Sequence, residues 1–250
     1  MGKAKQIHVA PISREHANGV CKRFHYSGTV VLGSQLHLGV FLDGRLEGVM
    51  QFGPPIDKRK LIGIVADTPW NGFLELNRMA FGPRLPRNSE SRALAIAMKI
   101  IRKNYPHVQW VVSFADGTQC GDGTIYRASG FVLTAIRKNQ TIMRMPDGSV
   151  EVCHNASTPK KASGSIRARG GVAMPGFQLR YIYFLDPSAR GRLVGSEVGF
   201  SEIERVGAGM YRGEKRRAGS KAIVASANHA EGGGETPTPA LHSSPDQSSS

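Results

Sequence analysis

Acidic side chains are scarce in this chain. Asp and Glu number 19 against 33 Lys and Arg, which leaves a formal net charge of +14. Cysteine is scarcer: Cys21, Cys120 and Cys153, an odd number with no CxxC pair. That pattern speaks against a zinc ribbon or a disulfide framework and suggests a reducing compartment. Long apolar runs are missing, and none approaches the ~20 residues needed to cross a bilayer. The N-terminus lacks the apolar stretch of a secretory signal. The expectation is a cytoplasmic protein without a membrane partner. The hydrophobic share of 40% is slightly low for a globular chain, and no internal repeats are visible.

The charge is unevenly spread. From Glu214 onward, Lys215, Arg216, Arg217 and Lys221 are balanced by Glu214, Glu231, Glu235 and Asp246, so the whole excess belongs to residues 1–213. A compact body with that excess favours polyanions: nucleic acid, a phosphate-bearing coenzyme or an anionic surface. The stretch after Gly213 is rich in Gly, Ser, Pro, Ala and Thr and reads as a disordered tail (214–250) behind one domain (1–213).

Hydrophobic periodicity gives the element order. A strand over Gln6–Ile12 is followed by Ser13, a helix N-cap, and a helix over Arg14–Phe24. Runs 36–42 and 45–52 flank Asp43-Gly44, the dipeptide of a tight β-hairpin. Pro54-Pro55 ends the second run, and 57–60 reads as a charged loop. A strand over Gly72–Phe81 precedes a helix over Ser91–Lys103, whose Leu94, Ala97, Met98 and Ile101 share one face. The run 108–115 is almost continuously apolar, as a central strand covered on both faces should be. A short helix near Gly123–Ala128, a strand over Phe131–Arg137, a hairpin around Asp147-Gly148, a mobile basic loop over 154–176 and a strand over Leu179–Leu185 complete the body. The predicted fold is α/β, one domain with a mixed central sheet flanked by helices. Asp116 falls at the carboxyl end of its central strand, where open α/β sheets bind ligands.

This order, and the ending Ile125-Tyr126-Arg127-Ala128-Ser129-Gly130-Phe131, resembles the GNAT acyltransferases. Four further pieces resemble the Mom family of phage DNA-modification proteins more closely. They are His25-Tyr26-Ser27, Glu75-Leu76-Asn77-Arg78-Met79, Ser113-Phe114-Ala115-Asp116 with Gly123-Thr124-Ile125-Tyr126, and Gly209-Met210-Tyr211-Arg212-Gly213. The resemblance implies an enzyme that places an acetamido (carbamoylmethyl) group on N6 of adenine in DNA. It also implies protection of phage DNA from host restriction, in the cytoplasm of an infected or lysogenic bacterial cell. Two rival readings stay open: an ordinary acetyl-CoA-dependent N-acetyltransferase acting on a small amine or protein, and a non-catalytic basic DNA-binding module.

The resemblance assigns roles residue by residue. Adenine N6 is a poor nucleophile, because its lone pair is delocalised into the ring, so it must be oriented and deprotonated. Asp116 is a candidate to take that proton or orient the amine. Tyr126 is a candidate proton donor to a leaving group, and His25 and Tyr26 border the acceptor side. His25, Tyr26 and Asp116 together are a candidate iron(II) set, since histidine with carboxylate suits that ion. Each has a plainer reading: Asp116 a helix N-cap, His25 a helix-end histidine favoured by the dipole, the tyrosines core rings with satisfied hydroxyls.

Arg78 interrupts an apolar strand and needs a partner or a cleft. Strand alternation places Glu75 and Asn77 on one face and Arg78 on the other, unless a bulge intervenes. Acetyl-CoA is the implied cofactor, with Arg78, Arg87, Ser89, Ser91 and Arg92 as its candidate ligands. Ser89 and Ser91 stand where the GNAT loop carries glycines, Pro86 replaces its basic residue, and Glu90 would repel an anion; the plainer reading makes Ser89 the helix N-cap. Lys58, Arg59, Lys60, Lys160, Lys161, Arg167 and Arg169 are candidates for DNA phosphates. Reaching N6 in double-stranded DNA requires an extruded adenine. Trp70, Phe52 and Tyr26 are candidates to stack on it, although such rings more often belong to the core.

Overall fold

A serine separates the first strand from the first helix. After β1 (His8–Pro11), Ser13 adopts extended geometry and its hydroxyl accepts the N–H of His16 at 3.3 Å, capping α1 (Arg14–Phe24). Ser13→Ala is expected to cost about 1 kcal/mol, measurable by urea denaturation. Asp43 (φ 50°) and Gly44 (φ 74°) form the tight turn between β2 (Leu36–Leu42) and β3 (Arg45–Gly53). The computed structural model describes residues 3–152, 165–211 and 214–215. Lys160, Lys161 and the tail beyond Lys215 lie outside those residues.

The remaining elements are α2 (Lys58–Ile62), β4 (Phe73–Phe81), α3 (Ser89–Asn104), β5 (Trp110–Asp116), α4 (Thr124–Ala128), β6 (Val132–Lys138), β7 (Ile142–Arg144), β8 (Val150–Val152), β9 (Val172–Ala173), β10 (Phe177–Phe184), α5 (Ser201–Arg205), β11 (Met210–Tyr211) and β12 (Glu214–Lys215). Seven strands form one mixed sheet in the order β1-β2-β3-β4-β5-β10-β6. Its ladders are antiparallel except at β4/β5. A smaller sheet joins β8-β7-β9, and β11 pairs β12.

Alternation along β3 separates two cores. Met50 points into the main one with Leu76, Leu94, Met98 and Ile101, under α3. Val49 points the other way, against Ala17, Val20, Cys21 and Ala80, under α1. On that second side, further along the sheet, Trp110 stacks on Phe73 with ring centroids 4.2 Å apart. Its indole N–H donates to Thr68 Oγ1 at 3.0 Å, so the polar end of a fully buried ring is satisfied.

Three expectations need correction. The charged stretch at 57–60 opens a short helix, α2, instead of a loop. Within the expected mobile segment 154–176, Val172–Ala173 pair with β7, and Gly171 turns tightly over Ile166. Asn139 organises that region: its carbonyl accepts the N–H groups of Thr141 and Ile142 at 3.0 Å and its amide donates to Ile142 and Met174. Phe52 is fully buried in the main core and offers no surface for a base. Among the described residues, no helix is long and apolar enough to cross a membrane.

Candidate active site where two central strands part

β4 and β5 run parallel for three residue pairs, Phe73↔Trp110, Leu74↔Val111 and Glu75↔Val112. Both strands continue, to Phe81 and Asp116, without pairing further. They therefore diverge at Glu75, leaving an opening in the middle of the sheet. Backbone groups at such an opening have no ladder partner and can meet a ligand.

β4 is irregular at this point. Gln51 pairs with Arg78 and Phe52 with Leu76, so Asn77 is an extra residue in the ladder. This bulge resets the alternation. Leu76 and Met79 both face the α3 core, while Arg78 shares the α1 side with Ala80. Strict alternation had put Arg78 on the α3 side, away from Glu75. The bulge returns its charge to the neighbourhood of Glu75, Cys21, His25 and Tyr26, each of which feels it. Its guanidinium donates to the Asn77 carbonyl at 2.9 Å and to Thr29 Oγ1 at 3.3 Å. Arg78 thus ties the loop after α1 to the edge of the opening. It does not lie with the other proposed cofactor ligands.

Glu75 is the most perturbed carboxylate at the opening. Burial raises its pKa to about 7, against the lowering pull of Arg78 and Asn77. Asn77 is itself held by Ser34, whose hydroxyl donates to the amide oxygen at 3.1 Å. In sequence, Glu75 stands out only as a potential partner for Arg78. The further signal is a second ionisable group in the same apolar strand.

Asp116 ends β5. Its carboxylate accepts the N–H of Thr118 at 2.9 Å, and its pKa is nevertheless raised, by burial. It caps its own turn and not α4, whose N-cap is Gly123. Tyr126 projects from α4 between Phe131 and Tyr181, with centroids 5.4 and 5.2 Å away. Burial pushes its pKa up to about 12, against the neighbouring Ser113 hydroxyl, with Cys120 and Glu75 adding to the rise. The fully buried Ser113 hydroxyl faces Tyr126, whose pKa it pulls down. Tyr26 enters from the far side. Its ring is 54% exposed, yet the hydroxyl feels Asp116, Cys120, Arg78 and Tyr126, and burial raises its pKa. Tyr26, Glu75, Arg78, Asp116, Cys120 and Tyr126 are therefore one electrostatic neighbourhood, drawn from four separate stretches of chain. Gly121 bridges to Tyr211, which brings the C-terminal Gly209–Tyr211 piece against the loop that follows Asp116.

His25 stands apart in protonation. Its Nδ1 accepts the backbone N–H of Ser27 at 3.2 Å and meets Ser27 Oγ at 2.8 Å, which assigns the proton to Nε2. Burial, then the Arg78 charge, lowers its pKa to about 4. In that tautomer Nε2 is a donor, and binding a metal there would move the ring proton to Nδ1, where the Ser27 hydroxyl can accept it. Among the described residues, no three His, Cys, Asp or Glu side chains gather to hold a metal. The His25, Tyr26 and Asp116 set expected for iron(II) includes a tyrosine and finds no support in such a gathering. Because the folded pKa lies below the ordinary 6.5, His25 withdraws stability as pH falls from 6.5 towards 4. Its ring carbon-bound proton resonances are expected to stay unshifted between pH 8 and 5.5 in an NMR titration, whereas an exposed histidine would titrate.

The coenzyme loop departs from a bare helix N-terminus. Asn88, in left-handed geometry (φ 70°), is the N-cap of α3, and Ser89 is not. Ser89 is buried and donates to the Pro86 carbonyl at 2.6 Å, while Ser91 donates to the Asn88 carbonyl at 3.2 Å. The half-buried Glu90 carboxylate accepts its own backbone N–H, so the helix N-terminus already faces an anion of its own. A pyrophosphate does not fit there as it would in a glycine loop. A groove between α3 and α4, lined by Asn88, Ser91, Arg92, Ile96, Lys99 and Ala128, does present cations to a phosphate. Arg87 is exposed beside it.

The proposed DNA cations divide similarly. Lys60 is 2.5 Å from Asp57, and Lys58 lies over the Trp70 ring at 4.7 Å. Arg169 forms a two-pronged pair with Glu151, at 2.9 and 2.5 Å, and is not available to a phosphate. Arg59 and Arg167 are exposed.

A seven-stranded mixed sheet that opens beside a helix-starting loop, flanked by helices, is a GNAT-like α/β fold. Among solved structures, the ribosomal-protein-S18-alanine N-acetyltransferase of Escherichia coli is similar over 78% of this chain and 99% of its own, at 11% identity and a TM-score of 0.41. An acetyltransferase of Bacillus subtilis in complex with CoA is similar over 72% and 97%, at 12% identity and a TM-score of 0.41. Sequence comparison is more specific. Residues 6–201 match the model of the Mom protein family. The methylcarbamoylase Mom of Escherichia phage Mu is 39% identical over 196 residues, 76% of this chain and 80% of that protein. This chain belongs to the Mom protein family.

Proposed function

We propose that this protein is a transferase that attaches an acetamido (carbamoylmethyl) group to N6 of adenine in DNA and so shields phage DNA from host restriction. The observation that carries this reading is the placement of Glu75, poised near neutral pH, at the opening between β4 and β5 beside Arg78, Tyr26, Asp116 and Tyr126. Membership of the Mom family, with a methylcarbamoylase among the relatives, supports the kind of group transferred.

An adenine N6 at the opening needs a group to take its proton as the new C–N bond forms. A carboxylate with a pKa near the working pH suits that task. Glu75 fills it, and Asp116, still accepting the Thr118 N–H, orients the amine. The half-exposed Tyr26 ring gives an extruded base a face to stack on. Tyr126, protonated at any physiological pH, holds a proton for a departing group. His25, neutral and engaged through Nδ1, fixes the Ser27–Thr29 turn that holds Arg78. An acyl-coenzyme A bound along the α3/α4 groove would have Arg92 and Lys99 on its phosphates.

The test is protection. Plasmid DNA from cells making the full chain is challenged with restriction endonucleases whose sites contain adenine. Resistance to cleavage is expected. Complete cutting of DNA from cells rich in soluble protein would reject the reading.

A further inference from the structure

One face of the sheet beside Asp116 carries a pair of cations that, among the described residues, form no ion pair. In the β5/β10 ladder Asp116 is opposite Gln178, and Phe114 is opposite Arg180. In the β10/β6 ladder Gln178 is opposite Arg137, and Arg180 is opposite Ala135. Directly opposed residues share a face. Asp116, Gln178 and Arg137 therefore form one row across three strands, with Phe114 and Arg180 in the row beside it.

Each member of this patch is unusual for its position. Phe114 is 41% exposed in a strand whose other large apolar residues are buried. Arg180 is half-buried and held in place by Thr134, with Nε donating to Oγ1 at 2.9 Å and a terminal nitrogen donating to the carbonyl at 3.3 Å. Burial and the Arg137 charge both pull its pKa below the ordinary value. Among the described residues, no carboxylate pairs with either guanidinium. Two neighbouring guanidinium groups, one partly desolvated, repel each other unless an anion lies between them. Arginine's planar fork matches phosphate geometry. An exposed aromatic ring beside such cations is the pairing that single-stranded nucleic acid uses, bases on the ring and backbone on the charges.

We infer that Arg137, Arg180 and Phe114 form the track for the unpaired DNA next to the target adenine, the two arginines holding a backbone phosphate and Phe114 stacking on a neighbouring base. This deepens the adenine-N6 reading and rests on it. Arg137 lies two strands from Asp116, roughly 10 Å at the usual strand spacing. That distance is about the span of one nucleotide. A phosphate on the arginines thus leaves its base within reach of Asp116.

Fluorescence anisotropy of the full chain with a labelled, adenine-containing single-stranded oligonucleotide, titrated over a range of salt, tests this. Arg137→Gln and Arg180→Gln are each expected to reduce the slope of log affinity against log salt by about 0.7, the value for one phosphate on a single strand. Phe114→Ala is expected to weaken binding about 5- to 100-fold with the slope unchanged. Arg45→Gln, which removes an exposed charge at the far hairpin, serves as the control for net charge. A thermal melt of each variant guards against misfolding. If Arg180→Gln melts early, the exposed Arg137 and Phe114 variants decide. Arg137→Gln and Phe114→Ala binding no worse than Arg45→Gln would overturn the track, while intact restriction protection in cells would leave the adenine-N6 reading standing. Wild-type protein that binds no oligonucleotide would overturn both.

Discussion

Glu75→Gln is expected to abolish adenine modification and, at the same time, to stabilise the fold. The two effects share one cause. Burial raises the Glu75 pKa from 4.5 to about 7. Below pH 4.5 the carboxyl is protonated in both folded and unfolded chains and costs nothing. As pH rises past 4.5 the unfolded chain loses the proton while the folded one resists, and folding is penalised until the folded pKa is passed. The full penalty, present above pH 7, is ~3 kcal/mol from the size of the shift. Glutamine is neutral at every pH and escapes it. Thermal melts at pH 8 should therefore show Glu75→Gln above wild type by several degrees, with the gap closing at pH 4.5. Catalysis behaves in the opposite way. The base must be deprotonated, so wild-type modification should increase as pH rises through about 7, and the glutamine variant should show none at any pH. A variant that lost activity and stability together would mean that Glu75 is merely structural. Residues held in unfavourable states for chemistry show this trade between activity and stability.

Gly123→Ala is expected to destabilise the protein by ~2–5 kcal/mol and to remove activity with it. Gly123 is the N-cap of α4 in left-handed geometry, with φ at 82°. An L-residue there pays ~1–2 kcal/mol for its backbone alone. A Cβ would also fall 2.4 Å from Tyr181 Cε2 and 3.0 Å from the Ala115 Cβ. Tyr181 cannot yield easily, because it is fully buried and its hydroxyl donates to the Asp122 carbonyl at 2.6 Å. Overpacking of that kind adds ~1–3 kcal/mol. The relief available is to push α4 outward, which carries Tyr126 away from Ser113 and Glu75. Urea denaturation gives the loss of stability, and restriction protection gives the loss of function. Wild-type values for both would show that the α4 N-terminus is free to move and that the position of Tyr126 does not matter.

Local chemistry made much of the fold legible. Ser13 and Asp43-Gly44 announce a cap and a turn through their own side chains and backbone preferences, and α1, β2 and β3 follow at the expected residues. The opening between β4 and β5 is not legible in sequence, because it depends on where two parallel strands stop pairing, which no local pattern encodes. The bulge at Asn77 has the same character. Counting by twos put Glu75 and Arg78 on opposite faces, and a single extra residue against Phe52 reversed that. The serines before α3 were read as phosphate donors from their type, yet both hydroxyls return to carbonyls of their own turn. Arg169 was assigned to DNA from its charge, although Glu151 had already taken it, across a separation of 18 residues. Of the residues carried from the family resemblance, Tyr26 feels the charges of Asp116 and Tyr126. Glu75 joins them only because burial changes what its carboxylate can do.

The most direct measurement is nucleoside mass spectrometry on plasmid DNA from cells making wild-type, Glu75→Gln or Asp116→Ala protein. The expected result is a deoxyadenosine heavier by one carbamoylmethyl group in the wild-type sample, absent from both variants although each remains soluble and folded. Unmodified deoxyadenosine in the wild-type sample, or full modification in the Glu75→Gln sample, would contradict the account.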